Sequence, residues 1–92
     1  MKTLEVEYMK SSSRIPDWIR KFTMNLKFYH SSTDNEIESL NRISDSLNKF
    51  NYKRRNSMCS GAYIKRYIED NRLYICNTNS EIAQVVIYYK NI

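Results

Sequence analysis

The apolar residues Ile37, Leu40, Ile43, Leu47 and Phe50 recur at spacings of three and four. That spacing draws a stripe along one side of an α-helix, and such a stripe needs another element to cover it. Glu38–Arg42 and Asp45–Lys49 stand one turn apart on the opposite side, as supporting ion pairs. Thr33 and Glu36 have the spacing of a capping box, in which each side chain satisfies the other's free backbone N–H. The pattern predicts a helix over residues 34–50. What covers it comes later in the chain, where the period changes from helical to alternating.

Three alternating segments follow, over residues 62–68, 72–77 and 82–90. Asp70-Asn71 reads as a two-residue turn, because both residue types tolerate positive φ. That turn pairs Glu69 with Arg72, Ile68 with Leu73 and Tyr67 with Tyr74, so opposite charges meet and each face stays uniform. A Thr78-Asn79-Ser80 loop then places Ile75 opposite Ala83 and Leu73 opposite Val85. Ahead of the helix, Leu4, Val6 and Tyr8 alternate with Glu5 and Glu7, predicting a strand over residues 3–9. Pro16 and Asp17 suit the first turn of a short helix carrying Trp18 and Ile19 to one end of the core. Phe22, Met24, Leu26 and Phe28 alternate with Thr23, Asn25, Lys27 and Tyr29, which predicts another strand. The expectation is one α+β domain over residues 1–92. Its antiparallel sheet has about five strands with one long helix on one face, in the order strand, short helix, strand, helix, strand, strand, strand.

Alternation then divides the sheet. Leu4, Val6, Leu26, Phe28, Ile64, Ile68, Leu73, Ile75, Val85 and Ile87 face the helix. Lys27, Tyr29, Tyr63, Lys65, Tyr67, Arg72, Tyr74, Tyr88 and Lys90 face away. Arg66 is the exception, directed inward by its register. Rings stack on bases and cations meet phosphates, so an open face of this kind suits nucleic acid. Cross-strand tyrosines also stabilise a half-exposed sheet without binding anything, and a dimer interface is a third use for them.

Charge points the same way. The chain carries 15 Lys and Arg against 10 Asp and Glu, a net +5. Residues 34–50 hold a net −2, which leaves +7 elsewhere. Lys53-Arg54-Arg55 stands in a basic connector over residues 51–60, with Lys49 and Tyr52 beside it. One cation there complements the preceding helix dipole, but three in a row exceed that need and suit a polyanion. Lys10, Arg14, Arg20 and Lys21 add charge around the first connection.

Chemistry finds little to work with. His30 is the single histidine, which excludes two-histidine metal chemistry. Cys59 and Cys76 are far apart and not in a CxxC pair, so they read as reduced thiols, with Cys76 a small surface hydrophobe. The lone Gly61 excludes a glycine-rich phosphate cradle. No catalytic set, metal or cofactor is expected. The N-terminus lacks a signal peptide's apolar run, and no stretch approaches the ~20 apolar residues that span a bilayer. A soluble, cytoplasmic binding protein is the expectation, with a monomer favoured.

In its 92 residues, its strand–strand–helix–three-strand order, its basic tyrosine-rich surface and its lack of a catalytic set, the chain resembles the phage anti-CRISPR proteins that inhibit type I surveillance complexes. The resemblance implies a non-enzymatic inhibitor in the host bacterial cell. It would sit on a ribonucleoprotein, touching protein subunits or guide RNA, and block access of target nucleic acid. Its basic charge argues against mimicry of DNA. A small stand-alone DNA- or RNA-binding regulator is the alternative.

Overall fold

The computed structural model describes residues 2–9, 15, 17–29, 35–58, 64–77 and 82–91, with 27–29, 52–58 and 77 described by backbone alone. It contains β1 (Lys2–Tyr8), α1 (Asp17–Tyr29), α2 (Glu36–Met58), β2 (Ile64–Glu69), β3 (Arg72–Asn77) and β4 (Ala83–Asn91). The strands form one antiparallel sheet in the order β1-β4-β3-β2. The class is α+β as expected, with four strands and two helices among the described residues in place of about five strands, a short helix and one long helix.

The discrepancy lies in residues 22–28. They carry two periods at once, and the alternating one is not realised. Met24 is 69% exposed whereas Leu26 is 3% exposed, although alternation puts them on the same face. Helical spacing separates them and instead lines up Ile19, Thr23 and Leu26, all buried, with buried Ile15 just ahead of the helix. Asp17 occupies the first turn, where a carboxylate complements the free N–H groups. Pro16 lies outside the described residues. Thr23 is tolerated inside the helix because its hydroxyl donates to the Ile19 carbonyl at 2.9 Å and is shared with the Tyr8 hydroxyl of β1. Contact with β1 therefore helps select the helical period.

The second helix starts where a cap is available. Asn35 Oδ1 accepts the Glu38 backbone N–H at 3.0 Å, and Thr33 lies outside the described residues. Leu40, Ile43 and Leu47 are fully buried, while Ile37 and Phe50 at the ends of the stripe are partly exposed. Arg42 bridges Glu38 at 2.7 Å. Asp45 and Lys49, exposed one turn on, form no such bridge among the described residues. The helix does not stop at Phe50. It continues without a break through Met58, so the expected connector over residues 51–60 is helical for most of its length. Asn51, Tyr52, Lys53, Arg54 and Arg55 include no Gly or Pro, and nothing local ends the helix there. Twenty-three residues at ~1.5 Å each make α2 about 34 Å long.

The β2–β3 hairpin matches the expected register pair for pair, from Glu69↔Arg72 to Tyr67↔Tyr74. Asp70 and Asn71 sit at φ 51° and 58°, the left-handed conformation that this turn requires. Between β3 and β4 the register differs from expectation by two residues: Leu73 pairs with Ile87 and Ile75 with Val85, with a bulge between Ile75 and Cys76. A shift of two keeps every side chain on its face, so the inward residues Leu73, Ile75, Val85 and Ile87 are unchanged. Residues 78–81 lie outside the described ones. Both helices pack on the inward face, where Leu73, Ile75, Val85, Ile87 and Tyr89 meet Leu40, Ile43 and Leu47, with Leu4, Ile19 and Leu26 alongside.

Leu40→Ala or Leu47→Ala should cost roughly 2–5 kcal/mol in urea unfolding, the usual range for a leucine truncated in a packed core. The pair Leu26→Ala and Met24→Ala tests the period of α1. The first should fall in the same range and the second should stay within about 0.5 kcal/mol, as exposed positions do. Similar losses at both sites would mean that residues 22–28 do not form this helix.

Candidate binding surfaces

Two surfaces emerge, and the sequence places their residues only in part. On the sheet face away from the helices, β2 presents Lys65, Tyr67 and Glu69, β3 presents Arg72 and Tyr74, and β4 presents Tyr88 and Lys90. β1 joins them at the far edge with Glu5 and Glu7, opposite Tyr88 and Val86. Lys27 and Tyr29 are not on this face, because their segment is α1. Tyr63 lies outside the described residues. Cys76 shares the face but is 1% exposed, so it is a buried thiol and not the surface residue expected. Val86 and Gln84 are buried as well, which leaves the middle of this face covered.

Its aromatic and charged groups are tied to one another. Tyr67 and Tyr74 stack with ring centres 4.9 Å apart and planes inclined by 14°. The Arg72 guanidinium lies 4.3 Å above the Tyr88 ring, and the Tyr88 hydroxyl donates to Glu7 Oε1 at 2.6 Å. Three cations, Lys65, Arg72 and Lys90, face three carboxylates, Glu5, Glu7 and Glu69, so the described face is close to neutral. A stack, a cation–π contact and a neutral balance account for these tyrosines structurally.

Arg66 is explained by the edge of the sheet. It points to the helix side, where its Nε donates to the Ser44 hydroxyl of α2 at 2.6 Å. An open groove of about 470 Å³ runs beside it between α2 and β2.

The second surface is carried by the helices. Phe50 of α2 is 41% exposed, stacks on Trp18 at 6.0 Å and meets Phe22 at 5.9 Å. These three rings join α1 to α2, and the exposed Lys21 and Lys49 adjoin them in sequence. Past Phe50 the helix backbone carries Lys53, Arg54 and Arg55 in its final turns. The apolar stripe announced Phe50 as a core residue; it is instead partly exposed, with its ring against Trp18 and Phe22 of α1. Arg20, also on α1, lies 4.9 Å from the Tyr8 ring and is occupied there. Among the described residues no three of His, Cys, Asp and Glu gather as metal ligands. No helix among them is long and apolar enough to cross a membrane.

The tyrosines record these contacts in their ionisation. The Tyr88 hydroxyl is raised above its ordinary 10.0, first by its hydrogen bond to Glu7, then by partial desolvation and the Glu7 charge, with Arg72 opposing. Tyr67 is raised by partial desolvation, then by Cys76, Glu69 and Tyr74. The folded chain holds both protons more tightly than the unfolded chain does. Their contribution is complete below the ordinary tyrosine range and is lost as pH rises through the raised folded values. Glu7→Ala should bring Tyr88 back toward its ordinary value and leave Tyr67 where it is, read by phenolate absorbance against single Tyr→Phe variants. An unchanged Tyr88 titration would mean that the Glu7 bond does not form in solution.

Comparison with known proteins finds no matching family model, no matching curated protein and no matching solved structure.

Proposed function

We propose that this chain is a non-enzymatic binding protein that contacts a polyanionic partner through the cationic end of α2. The partner we favour is a host ribonucleoprotein of the CRISPR surveillance type, which the resemblance of the chain to anti-CRISPR inhibitors supports. One observation carries the choice of surface: Lys53, Arg54 and Arg55 ride on continuous helix while the tyrosine face is neutral and internally paired.

Charge is graded along α2. Residues 36–50 hold Glu36, Glu38 and Asp45 against Arg42 and Lys49, and residues 51–58 hold three cations and no acid. Cations in the last turn complement the helix dipole, and Arg55 alone lies within that turn. Lys53 and Arg54 fall outside the dipole's short reach. Helical spacing puts Lys53 on the row of Lys49 and puts Arg54 on the row of Leu47 and Asn51, so the cations fan around the axis. Exposed Phe50, with Trp18 beside it, supplies an aromatic surface next to that charge.

The experiment is a charge-reversal triple, Lys53→Glu/Arg54→Glu/Arg55→Glu, beside a Tyr67→Ala/Tyr74→Ala double, with circular dichroism to confirm folding. Binding to a purified surveillance complex and to free RNA of guide length is measured across a salt series. The triple should weaken binding at least tenfold and flatten the salt dependence by ~0.7 per lost single-strand phosphate contact. The double should bind within about threefold of wild type, since its rings are engaged with each other and single surface truncations cost little. Tight binding to free RNA by the wild-type chain would favour the stand-alone regulator. Full binding by the folded triple would remove the helix end from the reading altogether.

A further inference from the structure

The sheet has two edges, β1 and β2, and they differ in what they offer another strand. An unpaired edge is a template for pairing, and folded proteins blunt it with charge or cover it. We infer that β2 is a self-association edge. Two copies of this chain would pair β2 to β2 antiparallel about a two-fold axis at Tyr67, making one continuous eight-stranded sheet.

The argument begins with the backbone. A two-residue turn is closed by a hydrogen-bonded pair, and bonded and non-bonded pairs then alternate along the hairpin. Glu69, Tyr67 and Lys65 therefore direct their N–H and C=O groups to β3. Ile64, Arg66 and Ile68 direct theirs to the outer edge, where no described strand meets them. In a two-fold pairing centred on Tyr67, Arg66 exchanges backbone bonds with Ile68 of the second copy. Tyr67 meets Tyr67 and Lys65 meets Glu69 at the non-bonded positions, where side chains approach most closely.

The side chains suit that register. Lys65 opposite Glu69 occurs twice by symmetry, opposite charges in both places. Tyr67 opposite Tyr67 extends the existing Tyr67–Tyr74 stack across the interface into four rings. The neighbouring registers fail for stated reasons. Centring on Arg66 opposes two guanidinium groups. Centring on Ile68 sets Arg66 against Asp70, whose φ of 51° is not extended, and leaves only the Ile68 pair to exchange bonds, where centring on Tyr67 keeps two Arg66–Ile68 pairs. At the other edge, pairing the full length of β1 with itself opposes Glu5 to Glu5, and Glu7 is already engaged by Tyr88. Charge complementarity thus singles out β2 and one register on it.

The test measures mass by sedimentation equilibrium up to about 1 mM, the weak end of specific association. The full-length chain is compared with Lys65→Glu, Glu69→Lys and the double exchange Lys65→Glu/Glu69→Lys. The wild type should reach twice the monomer mass. Each single reversal sets like charges opposite each other twice and should weaken the dimer roughly tenfold. The double exchange should restore it to within about threefold. Hydrogen exchange supplies a readout that does not depend on the variants: the Arg66 and Ile68 amides should gain protection with concentration, and the Tyr67 amide should not. A wild type that stays monomeric to about 1 mM, a dimer indifferent to both reversals, or open-ended polymers joining β1 to β2 would each overturn the inference.

Discussion

Everything else in this fold depends on the burial of one helical stripe, Leu40, Ile43 and Leu47, against the alternating residues of β3 and β4. All three leucine and isoleucine side chains are removed from water, as are Leu73, Ile75, Val85 and Ile87 beneath them. In so small a chain there is little core to spare, and a single contiguous cluster has to serve both helices and all four strands. It sets the position of α2, and α2 in turn positions Phe50, the site where α1 closes over the core through Trp18 and Phe22. Polar contacts refine that arrangement at its margins. Lys2 pairs with Glu36 at one end of α2, Arg66 with Ser44 at the sheet edge, and Tyr8 with Thr23 under α1.

The two faces of the sheet solve different problems. The inward face is apolar apart from Arg66 at its edge, which is bonded to Ser44, and elsewhere needs only shape. The outward face carries polar groups that would otherwise each compete for water and for one another, and it resolves them pairwise: ring on ring, guanidinium on ring, hydroxyl to carboxylate. A face arranged in this way has few groups left to offer a ligand, which is why the proposed contact moves to the helix end. The same reasoning explains the two sheet edges. β1 carries acids whose repulsion discourages pairing, whereas β2 carries Lys65 and Glu69, of opposite sign, two residues either side of Tyr67.

How much of this could be read from residues alone follows from the range of the forces involved. The β2–β3 hairpin was legible in full because a two-residue Asp-Asn turn ties register to local backbone geometry, and cross-strand charges agree with it. The stripe of α2 was legible because only a helix brings Leu40, Ile43 and Leu47 to one side. Of the candidate binding residues, Lys65, Tyr67, Arg72 and Tyr74 do share one face as their alternation required. Lys27 and Tyr29 do not, since they were placed by a strand that is a helix.

What the sequence determined by itself was therefore local: one stripe, one turn, the inward set of each true strand. Residues 22–28 satisfied two periods equally well. Burial of Ile19, Thr23 and Leu26 together with the Tyr8 contact selected one of them, a choice that exists only after β1 has taken its place. The end of α2 was hidden because no residue between Phe50 and Met58 forbids continuation, and charge alone does not distinguish a helix from a loop. The neutrality of the tyrosine face also belongs to the tertiary structure. Glu5 and Glu7 come to it only because β1 pairs with β4, bringing the first strand of the chain beside the last.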